Sequence, residues 1–333
     1  METIEIGSSG LKASRIALGT WAIGGWMWGG TDVRDALRTI DAAVDHGVTL
    51  IDTAPVYGFG HAEEIVGRAL RAGRRRDQVL IATKCGLSWQ DQKVFRNASS
   101  QRIQQEVEES LHRLRTDHID LYQVHWPDPL VSIEETAGAM ARLFEQGKIR
   151  AIGVSNFSPA HIETFSRAAP LHATQPPYNL FEREIDADVL PHAKKAGLTV
   201  LAYGALCRGL LSGKITAETS FDGDDLRRHD PKFQPPRLQQ YLGAVAELER
   251  FARQRYGTSL LSLAVRWVLD QGPTIALWGA RRAHQLDGLR EVFGWSLDEE
   301  AKREIDAILA RNILDPVGPE FMAPPASLAR AAA

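Results

Sequence analysis

Four polar side chains of types that can hold or move protons stand at or shortly after the ends of short apolar segments of the sequence. Asp52, Lys84 and His125 each close such a segment, and Tyr57 follows Asp52 five residues later in a Gly-rich loop. Rigid scaffolds commonly present reactive groups at such ends and loops. Taken singly, the carboxylate could cap a turn, the ammonium could reach solvent, and the imidazole could be a satisfied core group. Four of them at equivalent positions are much less expected by chance.

The chemistry that suits these four groups is the reduction of a carbonyl. A hydride converts C=O to an alkoxide, which then needs a proton at once. Tyr57 is a poor acid at neutral pH because a phenol has a pKa of about 10, but the neighbouring ammonium of Lys84 would lower that pKa. Asp52 would hold Lys84 charged. His125 would orient the carbonyl oxygen by a hydrogen bond or assist the proton transfer.

The elements that must position these residues alternate between apolar strands and helices. Eight strands follow an N-terminal β-hairpin at residues 1–17, and most of them precede a helix. Continuous apolar strands indicate a sheet covered on both faces, and eight such units favour a (β/α)8 TIM barrel over an open doubly wound sheet. Catalytic groups of such barrels lie at the C-terminal ends of the strands. The predicted strands are Leu18–Trp21, Val48–Asp52, Val79–Lys84, Ile119–His125, Ala151–Ser155, Ala173–Gln175, Leu198–Tyr203 and Thr274–Leu277.

The barrel prediction covers the chain, residues 1–333, as a single domain. A long loop at 204–236 follows the seventh strand, extra C-terminal helices follow the eighth, and a tail at 316–333 wraps the surface or frays. No GxGxxG motif follows the first strand, which weighs against the open dinucleotide-binding fold. The helices are predicted at Asp35–Asp45, Ala62–Leu70, Gln101–Leu114, Ile133–Gln146, Pro159–Ala168, Asp186–Ala196, Arg237–Tyr256, Ser259–Gln271, Ala283–Phe293 and Asp298–Asn312.

The composition is ordinary for a soluble globular enzyme, with 44% hydrophobic residues, 24% charged residues and a net charge of −3. This balance gives no reason to expect nucleic acid or an anionic membrane as a partner. The two cysteines, Cys85 and Cys207, favour a reducing compartment over a disulfide scaffold. The sequence shows neither a signal-like N-terminus nor an apolar run of about 18 residues, so we expect a cytoplasmic protein. We expect no metal site, because no H-x-H pair or cluster has ligand spacing.

The motifs around these residues resemble those of the aldo-keto reductase superfamily, whose members are (β/α)8 barrels that use NADPH or NADH. The resemblance runs through essentially the whole chain, and the family's catalytic tetrad falls on Asp52, Tyr57, Lys84 and His125. The tail is similar to that of the bacterial NADPH-dependent branch related to the inositol-operon reductase. The motifs are GTWAIGG, DTAPVYGFGHAEE, IATKCG, DLYQVHWPD, GKIRAIGVSNF, QPPYNLFER, LAYGALCRGLLSGK, WGARR and DPVGPEFMAPP.

The resemblance also implies a set of cofactor contacts. Ser155, Asn156 and Gln175 would bind the carboxamide, and Tyr203 would stack on the nicotinamide ring. An arginine fork suits a 2′-phosphate, so we expect NADPH (NADP+) rather than NADH. The other expected cofactor residues are Thr20, Trp21, Gly204 and Arg227, then Leu206, Cys207, Arg208 and Lys214 under the pyrophosphate, and Gly279, Arg281 and Gln285 at the adenosine end.

Two positions depart from the family pattern. Gly204-Ala205 stands where relatives often have Ser-Pro or Gly-Pro after the stacking aromatic residue, which leaves this turn less fixed. Gly288 and Leu289 stand where many relatives place the Glu-Asn pair that binds adenine. This second departure leaves the adenine contacts unassigned and permits faster release of the cofactor.

Several tryptophans lie in or beside the predicted loops at the strand ends. Trp28, Trp89 and Trp126 are the predicted substrate-binding residues, and Trp21 and Trp26 belong to the same group. Rigid, bulky indoles could wall a narrow apolar pocket for a small carbonyl substrate. Alternatively, two or three of them pack the barrel top.

The sequence therefore predicts NADPH-dependent reduction of small aldehydes, ketones or α-dicarbonyls to alcohols, with Tyr57 as the general acid. An alternative is a regulatory subunit that senses the nicotinamide cofactor with little turnover. A metal-dependent barrel hydrolase lacks ligand motifs, and a short-chain dehydrogenase is disfavoured because no tyrosine has a lysine four residues later. The oligomeric state is left open.

Overall fold

Eight parallel strands form a closed barrel at the centre of the protein. The computed structural model describes residues 1–328. Around the barrel the neighbour order is β3, β4, β5, β8, β9, β10, β11 and β12, and β12 pairs with β3 to close it. The predicted (β/α)8 fold is confirmed. The barrel strands are β3 Ile16–Gly19, β4 Leu50–Asp52, β5 Leu80–Cys85, β8 Leu121–Val124, β9 Ile152–Ser155, β10 Ala173–Gln175, β11 Thr199–Ala202 and β12 Thr274–Gly279.

Helices surround the barrel, and most of them begin at a polar cap. Ser99, Ser132, Ser158 and Ser259 each accept a hydrogen bond from a backbone N–H of the first helical turn, which satisfies a donor that the helix itself cannot pair. Within residues 1–328, no helix combines the length and the apolar character that a membrane crossing requires. The helices are α1 Trp21–Gly24, α2 Val33–Asp45, α3 His61–Ala72, α4 Ser100–Leu114, α5 Ile133–Glu145, α6 Pro159–Ala168, α7 Val189–Lys195, α8 Arg237–Tyr256, α9 Leu260–Leu269 and α10 Glu299–Asn312.

The N-terminal hairpin is present, but its boundary with the first barrel strand differs from the prediction. β1 Thr3–Glu5 pairs with β2 Lys12–Ser14, and β3 begins at Ile16 rather than at Leu18. The chain turns between them because the Ser14 hydroxyl donates to Ile16 O at 2.6 Å. The predicted strand end at Trp21 is wrong, since Trp21 begins the helix α1.

A second hairpin, absent from the prediction, stands on the barrel top after β5. Strands β6 Leu87–Gln90 and β7 Lys93–Arg96 are antiparallel. Their two-residue turn, Asp91-Gln92, has φ of 49° and 64°, the conformation that two-residue hairpins require. The turn escaped prediction because it has no glycine at these two positions.

Several predicted helices and loops differ from the observed ones in their bounds or in the type of helix. The predicted helix Asp186–Ala196 begins only at Val189, and Ala283–Val292 forms 3-10 rather than α-helix. The long loop at 204–236 contains three of the short 3-10 segments, and the tail contains another. The shorter 3-10 segments are Arg76–Gln78, Glu184–Asp186, Cys207–Ser212, Leu226–Arg228, Pro231–Phe233 and Glu320–Met322.

The described part of the tail returns to the barrel top. Arg96 ties it there, because its backbone N–H donates to Pro325 O at 3.0 Å and its Nε donates to Pro324 O at 2.9 Å. Residues 329–333 of the predicted tail lie outside the described residues. The extent of a single domain over 1–333 stays a prediction.

Candidate active site

Three of the four predicted catalytic residues meet around one ammonium group. Lys84 lies on β5 with no exposed surface. Its Nζ lies 2.6 Å from Asp52 Oδ1, 3.0 Å from Thr53 O and 3.3 Å from Tyr57 Oη. Asp52 is the last residue of β4, and Tyr57 stands in the loop that leads to α3. The adjacent parallel strands therefore bring the carboxylate and the ammonium together at the C-terminal end of the barrel.

The hydrogen bonds of Lys84 determine the direction of the Tyr57 hydroxyl. An ammonium has three donors and no acceptor, and Lys84 has three acceptors within reach. Tyr57 Oη is one of them, so this oxygen accepts a hydrogen bond from Lys84. The phenol's own proton is then free to be donated to another group.

The expected effect of Lys84 on the pKa of Tyr57 is not what the structure shows. Burial and the charge of Asp52 raise the pKa of Tyr57 well above its ordinary value of 10. The prediction of a lowered pKa is wrong because burial and the charge of Asp52 both disfavour the phenolate. Burial also lowers the pKa of Lys84, while the carboxylate of Asp52 opposes that change. At neutral pH the phenol therefore carries its proton.

His125 follows β8 directly and completes the group. Its ring centroid lies 5.9 Å from that of Tyr57, in an edge-to-face arrangement. Burial and the charge of Lys84 lower the pKa of His125 well below 6.5, so the imidazole is neutral at pH 7. A neutral imidazole can still donate one hydrogen bond to an oxygen near the phenol.

The residues predicted to bind a carboxamide form one hydrogen-bonded group. Ser155 Oγ donates to Gln175 O at 2.7 Å, and Asn156 Nδ2 donates to His125 O at 3.0 Å. Tyr203 Oη donates to Asn156 Oδ1 at 2.9 Å. These side chains line the cavity beside Tyr57.

Two cavities meet at Tyr57. The first has a volume of about 230 Å³, and its wall is mostly apolar, with Trp26, Val56 and Trp126 among its residues. The second has a volume of about 330 Å³ and extends to Arg281 and Gln285. Both cavities share the side chains of Trp21, Tyr57, Tyr203 and Met322.

The three predicted substrate-binding tryptophans do not line a single cavity. Trp126 lines the first cavity, whereas Trp28 lines the second. The structure does not bring Trp89 to either wall, because it lies on β6 and packs on Phe59 with a centroid distance of 5.6 Å.

The second cavity collects most of the other predicted cofactor residues, namely Thr20, Trp21, Gly204, Leu206, Arg208, Lys214, Arg227, Gly279, Arg281 and Gln285. Cys207 is fully buried and not on its wall. Arg208 reaches the wall, but its guanidinium is engaged in buried ion pairs with Glu182 and Asp230. Gln285 Oε1 accepts from the backbone N–H groups of Arg281 and Arg282, at 2.8 and 3.0 Å.

Arg227 and Arg281 give the far end of this cavity an excess of positive charge. Burial and the charge of Arg227 lower the pKa of Arg281. Arg281 donates to Trp28 O at 2.6 Å and forms no ion pair with any residue in 1–328. Arg227 pairs with Asp225 and lies over the ring of Phe221, 4.1 Å from its centroid. Such a pair of guanidinium groups suits a bound phosphate.

The comparisons with known proteins agree on one family. The model of the Aldo/keto reductase family matches residues 15–310. The chain belongs to the aldo/keto reductase family. This aldo-keto reductase is 61% identical over 326 residues to Aldo-keto reductase YhdN of Bacillus subtilis (strain 168), with 98% of each chain covered. It is 35% identical over 292 residues to the NADH-specific methylglyoxal reductase of Escherichia coli (strain K12), covering 83% of this chain and 88% of that protein.

The fold of this aldo-keto reductase is similar to that of a solved structure. The glycerol dehydrogenase AKR11B4 from Gluconobacter oxydans has a TM-score of 0.88 and 56% sequence identity, covering 96% of this chain and 99% of that one. The narrower resemblance to the branch of the inositol-operon reductase stays a prediction.

Sequence reasoning missed two parts of the aldo-keto reductase site. Gln123, a fully buried amide on β8, donates to Asp52 Oδ2 at 3.2 Å. The only signal for it was a polar residue within an apolar strand. The tail contributes Phe321, Met322 and Pro324 to the first cavity, and no local pattern indicated where it would fold. Residues 1–328 contain no group of three or more His, Cys, Asp or Glu side chains arranged to hold a metal ion.

Proposed function

We propose that this aldo-keto reductase reduces small aldehydes, ketones or α-dicarbonyls to alcohols with NADPH, using Tyr57 as the general acid. The observation that carries the proposal is the contact of Lys84 Nζ with Tyr57 Oη, 3.3 Å, at the meeting point of two cavities. One relative is named a methylglyoxal reductase and a structural neighbour a glycerol dehydrogenase. Methylglyoxal is a small carbonyl compound and glycerol is a small alcohol, and the first cavity, with a volume of about 230 Å³, has room for molecules of this size.

The chain's own residues supply the proton and its direction. Bound NADPH would supply a hydride to the carbonyl carbon. Tyr57 would donate its proton to the carbonyl oxygen, and Lys84 would stabilise the negative charge that then develops on the phenol. His125, neutral at pH 7, would donate a hydrogen bond to the same oxygen and hold it near Tyr57. The apolar wall around them would exclude water.

The residues of the second cavity fit a dinucleotide with an additional phosphate. Burial and, after it, the charge of Arg227 lower the pKa of Arg281, and a bound anion would offset both effects. The buried indole N–H groups of Trp21 and Trp28 have no hydrogen-bond partner among residues 1–328, so each could donate to a bound polar group. We therefore propose NADPH, with Arg281 as a contact to its 2′-phosphate.

We also propose that the chain forms one domain and acts in the cytoplasm on a small molecule. One observation supports a reducing compartment: Cys85 and Cys207 are both free thiols.

The direct test is Tyr57→Phe, with Tyr256→Phe at the end of α8 as the matched control. We expect Tyr57→Phe to lower kcat for methylglyoxal or a nitrobenzaldehyde by about 10²- to 10⁴-fold, while the NADPH dissociation constant stays near that of the wild type. Tyr256→Phe should retain full activity. Steady NADPH consumption by Tyr57→Phe at the wild-type rate would contradict the proposal. Absence of turnover in the wild type would favour the cofactor-sensing alternative.

A further inference from the structure

Gln123 is a buried amide in a strand whose other residues are apolar or aromatic. All four residues of β8, Leu121–Val124, are buried, and Gln123 has no exposed surface. Burying an amide is unfavourable unless its hydrogen bonds are satisfied. The position therefore needs a reason beyond packing, and its partners supply one.

The partners of Gln123 are one catalytic carboxylate and one cavity residue. Gln123 Nε2 donates to Asp52 Oδ2 at 3.2 Å, and Gln175 Nε2 donates to the same oxygen at 2.8 Å. Gln175 Nε2 also donates to Gln123 Oε1 at 3.2 Å. The three side chains form a closed triangle of hydrogen bonds beneath the site.

The carboxylate dictates which way both amides point. An ionised carboxylate only accepts hydrogen bonds, so each glutamine must turn its NH2 group towards Asp52. Gln123 then presents its carbonyl oxygen to Gln175, whose Nε2 donates to it at 3.2 Å. With both amides on Oδ2, the other oxygen of Asp52 is left to Lys84, at 2.6 Å.

The neighbouring strand is built to leave room for this amide. Gly153 on β9 lies opposite Gln123 in the parallel register. A Cβ at that position would lie only 2.8 Å from Gln123 Cγ. The missing side chain therefore gives Gln123 the space to reach Asp52 and Gln175.

We propose that Gln123 is a positioning residue that holds Asp52 for Lys84 and turns Gln175 so that its carbonyl oxygen is left for the cofactor. Gln175 lies on the wall of the first cavity, which also contains Tyr57. Its NH2 group donates to Asp52 and to Gln123. Its oxygen is the end available to accept a hydrogen bond from the carboxamide of the nicotinamide. This inference rests on the proposed function, because it assigns a role in binding that cofactor.

The test compares Gln123→Leu and Gln123→Met with Thr174→Val. Thr174 is buried on the barrel strand β10, and its hydroxyl has no partner within the described part of the chain, so its loss removes a buried polar group without disturbing the triangle. Dissociation constants are measured by tryptophan fluorescence for NADPH and for 2′-phospho-ADP-ribose, which lacks the nicotinamide. Values of kcat are measured with one aldehyde.

Both Gln123 variants should bind NADPH about 10-fold more weakly and lower kcat by about 10-fold or more. Their affinity for 2′-phospho-ADP-ribose should stay within about twofold, and Thr174→Val should match the wild type. Gln123→Met keeps the length of the side chain and carries the comparison if Gln123→Leu does not fold.

Two results would overturn the inference while leaving the proposed function intact. The first is an active wild type whose Gln123 variants behave like Thr174→Val. The second is an equal loss of affinity for both nucleotides, which would show a general structural role. A wild type without NADPH turnover would overturn the proposed function, and this inference with it.

Discussion

Among single residues, Lys84 has the largest influence on the proposed proton transfer. Its three donors are directed to Asp52, Thr53 and Tyr57, which makes the phenol oxygen an acceptor and leaves the phenol proton available. Its charge also helps to keep His125 neutral. One buried ammonium therefore determines the hydrogen bonding of Tyr57 and helps to determine the charge of His125.

The raised pKa of Tyr57 predicts opposite pH dependences for the two directions of reaction. Reduction needs the protonated phenol, which persists well beyond pH 9 because burial and Asp52 hold the pKa above 10. We expect kcat for reduction to stay flat between about pH 6 and 9. Alcohol oxidation needs the phenolate, so its kcat should rise about 10-fold per pH unit over this range. Rates of both directions, measured with saturating cofactor, test this. A reduction rate that falls with an apparent pKa near 7 would contradict it.

Arg281 is the residue at which cofactor preference can be tested. Arg281→Ala should weaken NADPH binding by about 10-fold or more and NADH binding much less, because only NADPH offers a 2′-phosphate to the guanidinium. Arg282→Ala is the matched control, since this neighbouring side chain is 67% exposed and lies 3.7 Å from Asp35. Fluorescence titration with both cofactors measures the effect. Equal losses for NADPH and NADH would remove the reason to assign Arg281 to the 2′-phosphate.

The sequence was sufficient to predict that the four candidate catalytic residues meet at one end of the barrel but not the pKa of Tyr57. Asp52, Lys84 and His125 could be found because each ends an apolar segment, and strand ends meet at one face of a barrel. The pKa of Tyr57 depends on how much solvent the surrounding loops and tail remove, and those segments have no periodicity from which their course can be read.

Among the elements, the long loop at 204–236 is fixed by a buried group of charges. This group, the loop cluster, is formed by Glu182, Arg208, Asp230 and Lys232. Lys232 Nζ lies 2.9 Å from Glu182 Oε1, and Arg208 Nε lies 2.5 Å from Asp230 Oδ2. Lys232 also donates to Gly318 O at 3.2 Å. The loop cluster thus joins the long loop to the segment after β10 and to the tail.

Removing one charge from the loop cluster should be costly. Glu182→Gln leaves Arg208 and Lys232 buried without their shared carboxylate, so the free energy of unfolding should fall by about 3–5 kcal/mol. Glu184→Gln is the matched control, because Glu184 is exposed and two residues away. Chemical denaturation measures both. A change below about 1 kcal/mol for Glu182→Gln would show that the loop cluster contributes little to stability.

Elements with a regular apolar pattern could be predicted, and elements set by distant contacts could not. The strands β5 and β8 were evident as apolar runs. The start of β3 was missed because Arg15, between Ser14 and Ile16, is held by carbonyl groups of Leu269, Gly272 and Thr274, more than 250 positions away. The hairpin β6–β7 was missed because its turn uses Asp91-Gln92 rather than a glycine.

For the whole molecule, the tail and the β6–β7 hairpin together enclose the first cavity. Arg96 at the end of β7 donates to Pro324 O and to Pro127 O, at 2.9 and 2.8 Å. Its guanidinium also lies over the ring of Trp126, 5.2 Å from the centroid. One arginine therefore joins the hairpin, the loop after β8 and the tail.

Releasing the tail should affect substrate binding more than chemistry. Arg96→Ala should raise KM for an aldehyde by about 5- to 10-fold, because the hydrogen bonds that hold the wall are lost, and should change kcat by less than about twofold. Lys93→Ala, at the exposed start of β7, is the control. Steady-state kinetics decide the matter. An unchanged KM would show that the cavity wall keeps its shape without this tie.

The space left by Gly153 has a consequence for how this sequence can diverge over evolutionary time. As long as Gln123 occupies the barrel interior, position 153 cannot acquire a side chain without displacing it. In lineages where a residue without a Cγ, such as alanine, has replaced Gln123, that restriction disappears and alanine or serine becomes admissible at position 153. The two positions should therefore be inherited as a pair, and an alignment of homologues in which they vary independently would contradict this.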